Sequence, residues 1–190
     1  VASTVVDWNA GAGSPTFSGF ARLEFFLGGG NDVVTVGALS ATSLVGVTLN
    51  LGEGDDTVDA AAANVPLTIF GDAGDDDIES GSAVDTIRGG EGDDIIQGGA
   101  GNDVIEGNAG DDVLVGGAND DRMDGGAGSD TYILPDGIDR IRDVEGDFDQ
   151  LVFATATTAV HVDLAIREGT VQIVDSLGNG IAISGRLIAV

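Results

Sequence analysis

From Gly71 the chain reads in nines: GDAGDDDIE (71–79), SGSAVDTIR (80–88), GGEGDDIIQ (89–97), GGAGNDVIE (98–106), GNAGDDVLV (107–115), GGANDDRMD (116–124) and GGAGSDTYI (125–133). Position six is always aspartate: Asp76, Asp85, Asp94, Asp103, Asp112, Asp121 and Asp130. Position eight is always apolar or aromatic: Ile78, Ile87, Ile96, Ile105, Leu114, Met123 and Tyr132. Glycines at positions one, two and four suit a turn that needs φ > 0 and close backbone approach. The x-apolar-x triplet that follows makes a minimal strand with one side chain inward. Turn plus strand is half a rung. Two nonapeptides, 18 residues, therefore build one rung of a right-handed parallel β-solenoid.

The signature continues outside this block at longer spacing. LGGGNDVVT (27–35) and LGEGDDTVD (51–59) supply Asp32 and Asp56, with Val34 and Val58 at the inward place. Downstream, DGIDRI puts Asp139 and Ile141 in phase, and EGDFDQLV offers Asp149 and Leu151. Assigning alternate turns to opposite edges gives two columns. One holds Asp32, Asp56, Asp76, Asp94, Asp112, Asp130 and Asp149; the other holds Asp85, Asp103, Asp121 and Asp139. The early rungs lack an acidic turn on the second edge. They carry alternating strands there instead, around Leu23–Phe25, Val47–Leu51 and Leu67–Ile69, closed by loops near 37–46 and 60–66. The expected class is all-β: residues 17–150 form the solenoid, with long irregular rungs at 17–70, nonapeptide rungs at 71–133 and terminal turns at 134–150. A cap strand at 1–16 containing Trp8 and a β-stranded cap at 151–190 close its ends. Within that second cap, LVFATA, AVHVDLAI, TVQIVDS and GIAISGRLIAV alternate as strands, with turns at Glu168-Gly169 and Gly178-Asn179-Gly180.

Composition narrows the chemistry. The 190 residues include 33 Asp and Glu against 7 basic residues, all arginine, for a net charge of −26. Phosphate backbones need a Lys/Arg surface, so nucleic acid is excluded as a main partner, and anionic membranes are disfavoured. The chain is not a disordered acidic tail, because 42% of it is apolar. Without cysteine there are neither disulfides nor thiolate metal sites. No apolar run is long enough to span a bilayer. A chain opening on Val1 with no leader is expected to be a matured protein or a piece of a longer one.

So much acid and glycine calls for a neutralising divalent cation. Stacked strands lie roughly 4.7–4.9 Å apart, and calcium–oxygen distances of roughly 2.3–2.6 Å let one ion bridge two stacked turns. Magnesium, at roughly 2.0–2.1 Å with strict octahedral geometry, would pull the rungs too close. Position-six aspartates from two stacked turns supply the charged oxygens, and carbonyls of the Gly-rich turn supply the rest. Without the ion, carboxylates about 5 Å apart repel by a few kcal/mol at an effective dielectric near 20. The metal-free chain is thus expected to be poorly ordered, and binding of about seven to nine ions to appear as folding free energy. At position five, Asp55, Asp75, Asp93, Asp111 and Asp120 are either extra ligands or a solvated acidic rim, the rim being the expected role.

The pattern GGxGxDxUx, here GGEGDDIIQ, GGAGNDVIE and GGAGSDTYI, resembles the RTX (repeats-in-toxin, haemolysin-type) calcium-binding β-roll. The resemblance covers about 28–149. It implies a bacterial protein that leaves the cell through type I secretion and folds outside, at the cell surface or in the medium. It also implies that turn carbonyls join Asp32, Asp56, Asp76, Asp94, Asp103, Asp112, Asp121, Asp130 and Asp139 as ligands. At positions one and two these belong to Gly71, Gly89, Gly90, Gly98, Gly99, Gly107, Asn108, Gly116, Gly117, Gly125 and Gly126. At positions three and four they belong to Ala73, Gly74, Glu91, Gly92, Ala100, Gly101, Ala109, Gly110, Ala118, Asn119, Ala127 and Gly128. Gly28, Gly30, Gly52 and Gly54 serve the early turns, where Leu27 and Leu51 replace the position-one glycine. Ala83 and Val84 stand at positions four and five beside Asp85, so that turn is expected to be a weak site. Asn119 replaces glycine at position four, which is tolerable because Asn visits the left-handed region, and Asp72 and Asn108 at position two are tolerable as well.

No HExxH and no GxSxG occurs, and the lone His161 reads as structural, so no enzyme is expected in this chain. The leading reading is a calcium-binding folding module of a larger secreted protein. A second is a structural, adhesive or surface-layer element that assembles with calcium or holds polysaccharide. Ice binding, found in one branch of the family with Thr at position three, is rejected because no threonine stands at that position here.

Overall fold

The structure, a computed structural model, describes residues 5–8, 22–39, 44–143, 148–153, 161–166 and 170–175, with side chains for 22–39, 44–142 and 149–152. In chain order the strands are β1 (Val5–Trp8), β2 (Leu23–Gly29), β3 (Val33–Val36), β4 (Val47–Glu53), β5 (Thr57–Asp59) and β6 (Leu67–Ala73). There follow β7 (Asp77–Glu79), β8 (Thr86–Glu91), β9 (Ile95–Gln97), β10 (Val104–Ala109), β11 (Val113–Val115) and β12 (Arg122–Ala127). The last are β13 (Thr131–Ile133), β14 (Ile138–Asp143), β15 (Phe148–Phe153), β16 (His161–Ile166) and β17 (Thr170–Asp175). Odd-numbered strands stack in one nine-stranded sheet and even-numbered strands in an eight-stranded one. The pairings are parallel throughout. The chain is a parallel β-solenoid, as the nine-residue period predicts. Among the described residues no helix is long and apolar enough to cross a membrane.

The two sheets face each other through the position-eight side chains. Val34, Val58, Ile78, Ile96, Leu114, Tyr132 and Leu151 stack in register from one sheet. Leu49, Ile69, Ile87, Ile105, Met123 and Ile141 stack from the other. All of these are buried. Each rung thus buries two large apolar side chains, worth roughly 1.5–3 kcal/mol apiece. The early rungs are thicker, because Val47 and Leu67 add a further inward pair and Leu51 fills the inward place that glycine holds in the nonapeptides. Ala60, Ala63 and Val65 are also buried. The loop that carries them is tied to the one after β3, where the Leu39 N–H donates to Asn64 Oδ1 at 2.9 Å.

At the C-terminal end the chain keeps winding. His161–Ile166 of AVHVDLAI and Thr170–Asp175 of TVQIVDS form strands, β16 and β17, and these pair in parallel with β14 and β15 as further members of the same two sheets. At the other end β1 joins the nine-stranded sheet against β3. The expected strand GIAISGRLIAV and most of the expected 1–16 cap lie outside the described residues.

Candidate metal centre

Eight of the turns are each shaped by two left-handed residues. Positive φ occurs at position two (Gly28, Gly52, Asp72, Gly90, Gly99, Asn108, Gly117, Gly126) and at position four (Gly30, Gly54, Gly74, Gly92, Gly101, Gly110, Asn119, Gly128). Position one differs from expectation: Gly71, Gly89, Gly98, Gly107, Gly116 and Gly125 do not have positive φ. They are glycine for space, since a Cβ there would collide with Oδ2 of Asp76, Asp94, Asp103, Asp112, Asp121 and Asp130 respectively. Backbone approach is close at positions two and four as well. A Cβ on Gly90 would strike the Asp72 carbonyl, and one on Gly110 the Gly92 carbonyl.

The position-six aspartates form two ladders, in the columns that the spacing predicts. In the first, each N–H donates to Oδ1 of the aspartate one rung on: Asp32 to Asp56 (2.6 Å), Asp56 to Asp76 (2.8 Å), Asp76 to Asp94 (2.8 Å), Asp94 to Asp112 (2.8 Å), Asp112 to Asp130 (3.0 Å) and Asp130 to Asp149 (3.1 Å). In the second, Asp85 donates to Asp103 (2.8 Å), Asp103 to Asp121 (2.9 Å) and Asp121 to Asp139 (3.0 Å). All are buried. Asp149 is in the first ladder although the candidate ligand set stops at Asp139; its 19-residue step in EGDFDQLV is the signal for it.

The second oxygen carries the chemistry. Oδ2 of Asp56, Asp76, Asp94, Asp103, Asp112, Asp121, Asp130, Asp139 and Asp149 is buried and has no hydrogen-bond partner. An orphaned buried carboxylate oxygen is costly unless a cation or proton satisfies it. The carboxyls respond accordingly. Burial, reinforced by neighbouring carboxylates and opposed by the ladder N–H, pushes Asp76, Asp112 and Asp121 up to about 7. The same balance takes Asp94, Asp103, Asp130 and Asp139 up to about 6. Asp56 is raised for the same first reason.

Asp85 departs from this pattern. Its Oδ1 accepts the Leu67 N–H at 2.7 Å, and its Oδ2 accepts the Gly81 N–H at 3.2 Å, with the Ser80 side chain as a further hydrogen-bond partner. Neither Gly81 nor Ala83 takes positive φ, so this turn lacks the paired left-handed residues. The protein itself occupies the oxygen that its neighbours leave open.

Position five is more than a solvated rim. Asp55, Asp75, Asp93 and Asp111 are exposed, yet Oδ1 of each accepts the N–H of position five one rung on, from Asp75, Asp93, Asp111 and Ser129 at 2.8–3.2 Å. Asp120 does the same for Ile138 at 3.0 Å. This outer ladder runs opposite to the buried one, and the sequence carries no sign of it beyond the acid itself.

Among the described residues no three His, Cys, Asp or Glu side chains cluster as a metal site. Each cradle offers two stacked carboxylates plus turn carbonyls. At position three the carbonyls of Ala73, Glu91, Ala109 and Ala127 each accept an N–H from Gly54, Gly74, Gly92 and Gly110 at 2.7–2.9 Å, which leaves one lone pair apiece. Hard oxygens at rung spacing, with orphaned anionic partners, fit calcium.

A parallel solenoid edged with such turns belongs to the class of cation-binding β-rolls. The family model for the RTX calcium-binding nonapeptide repeat (4 copies) matches residues 68–87, 79–114 and 97–132. Residues 68–132 thus match RTX calcium-binding repeats, and their place in a parallel β-solenoid fits a calcium-binding β-roll module. No curated protein matches the chain.

Proposed function

We propose that this chain is the calcium-responsive folding module of a larger secreted bacterial protein, disordered where calcium is scarce and wound into the roll after type I export. The orphaned Oδ2 column carries the reading. Stacked buried carboxylates oppose the fold until a divalent ion bridges them, so ion binding and folding are one event. Cradles lie between successive aspartates from Asp32 to Asp149 on one edge, and between Asp103, Asp121 and Asp139 on the other, which gives about eight ions. Export through a channel is compatible with a chain that has no disulfide to break.

The test is far-UV circular dichroism during a calcium titration from a chelated start, with magnesium as control and light scattering alongside. A cooperative coil-to-β transition at roughly 10⁻⁴–10⁻³ M calcium, absent in magnesium, is expected. A chain already fully folded in chelator would sink the proposal. Calcium-dependent scattering would add lateral assembly to the function.

A further inference from the structure

Arginine is placed unevenly on this acidic solenoid. No strand of the nine-stranded sheet contains one, whereas the eight-stranded sheet carries Arg88 on β8, Arg122 on β12, and Arg140 and Arg142 on β14. Arg88 is satisfied, with its Nε 2.6 Å from Glu106 Oε2 and its guanidinium 5.6 Å from the centre of the Phe70 ring. Arg122, Arg140 and Arg142 are exposed and make no ion pair among the described residues.

Arg122 and Arg140 are register partners on adjacent rungs, so their backbones lie about 4.8 Å apart in one outward row. Like charges placed directly opposite in a sheet are destabilising. The next residue of that row is Asp163, which lies beyond Arg140 rather than between the two arginines. Together with Arg142, the pair lines an open groove of about 720 Å³. Asp103, Asp120 and Asp121 also line the groove, and each accepts a backbone N–H on Oδ1 only, from Asp85, Ile138 and Asp103 respectively, while the second oxygens of Asp103 and Asp121 stay buried and unpartnered.

We propose that Arg122, Arg140 and Arg142 form a binding site for a multiply charged oxyanion group, carried by a free ion or by an anionic polymer lying along the outer face of the sheet. The guanidinium fork presents paired donors that match sulfate, phosphate and carboxylate oxygens. An anion between Arg122 and Arg140 would cancel the repulsion that the register imposes. A net charge of −26 repels anions in general, so saturable anion uptake would report a local site.

The experiment is titration calorimetry of sodium sulfate into the full chain in calcium buffer at constant ionic strength, with chloride as control. A second arm uses dextran sulfate against uncharged dextran. Saturable binding is expected, weakened at least about tenfold by Arg122→Gln with Arg140→Gln and retained in Arg88→Gln. Binding of free sulfate assigns the site to a small ion; binding of the polymer alone assigns it to a polyanion. Circular dichroism reports separately whether each variant folds, and Arg142→Gln reads the same groove if the double variant does not. No saturable binding in either arm, or binding that the groove variants leave unchanged while their β signal is intact, overturns the proposal.

Discussion

The Asp94 N–H donates to Oδ1 of Asp112 at 2.8 Å, while Asp112 Oδ2, equally buried, has no partner. The two oxygens of one carboxylate are thus placed differently: one ties neighbouring rungs together, and the other is the one our proposal gives to a cation. Asp112→Asn separates them, because the amide keeps an acceptor for Asp94 and loses the charge. The calcium midpoint is expected to rise about tenfold or more, the scale of a lost charge-assisted contact. In chelator the same variant should be more ordered than the parent, since a repelling anion is gone. A variant with unchanged calcium midpoint would remove Asp112 from the ligand set.

Position-one glycine is required for space, which a double-mutant cycle can show. The three atoms nearest to a Cβ on Gly116 would all belong to Asp121. At Gly117, φ is +109°, and a Cβ would strike the Gly99 carbonyl. Gly116→Ala should therefore cost calcium affinity in the parent and little when combined with Asp121→Ser. Gly117→Ala should remain destabilising in either background. Denaturant midpoints in saturating calcium give the coupling; additive costs for Gly116→Ala and Asp121→Ser would contradict the steric account.

If the orphaned oxygens hold calcium as proposed, protons compete with it for them. Asp76, Asp112 and Asp121 sit near 7, and Asp94, Asp103, Asp130 and Asp139 near 6, in the folded ion-free chain. Their unfolded values lie at about 3.9. The folded form then binds more protons than the unfolded form between those limits, so ion-free stability falls as pH rises. The stabilisation is complete below about pH 4 and is lost through pH 6–7. In chelator, β signal should grow as pH drops from 8 towards 5, whereas in limiting calcium the midpoint should move to higher concentration over the same range. Ion-free order that increases with pH would reverse the sign and refute the orphaned-carboxylate mechanism.

The columns are legible in the sequence because one nine-residue unit fixes turn, strand and ligand together: Asp76 and Asp94 stand 18 apart and meet in the ladder. Even the 24- and 20-residue steps at Asp32 and Asp56 resolve correctly, since Val34 and Val58 hold the inward phase. What a repeat cannot carry is the use of identical letters in different ways. Gly107 and Gly110 read alike, but one makes room for Asp112 Oδ2 and the other takes a left-handed φ. Asp93 and Asp94 are adjacent acids whose ladders run in opposite directions. In β16 and β17 alternation marks a strand without marking its neighbour, so a parallel rung and an antiparallel cap look the same.

Asp85 allows the sharpest contrast. Its turn has the spacing of a calcium turn, but the Leu67 and Gly81 N–H groups and the Ser80 side chain already hold both its oxygens. The Ser80 hydroxyl also bonds the Gly98 carbonyl, fixing this turn to the next rung on that edge without an ion. Asp85→Asn is therefore expected to leave calcium stoichiometry unchanged and to shift the calcium midpoint far less than Asp103→Asn, whose Oδ2 is orphaned. Asp85→Ala should instead lower stability by about 1–3 kcal/mol, the cost of stranding buried N–H donors, with or without calcium. Parallel calcium titrations and urea melts of the three variants separate the two roles. Loss of one bound ion on Asp85→Asn would make this turn a working site and return Asp85 to the ligand column.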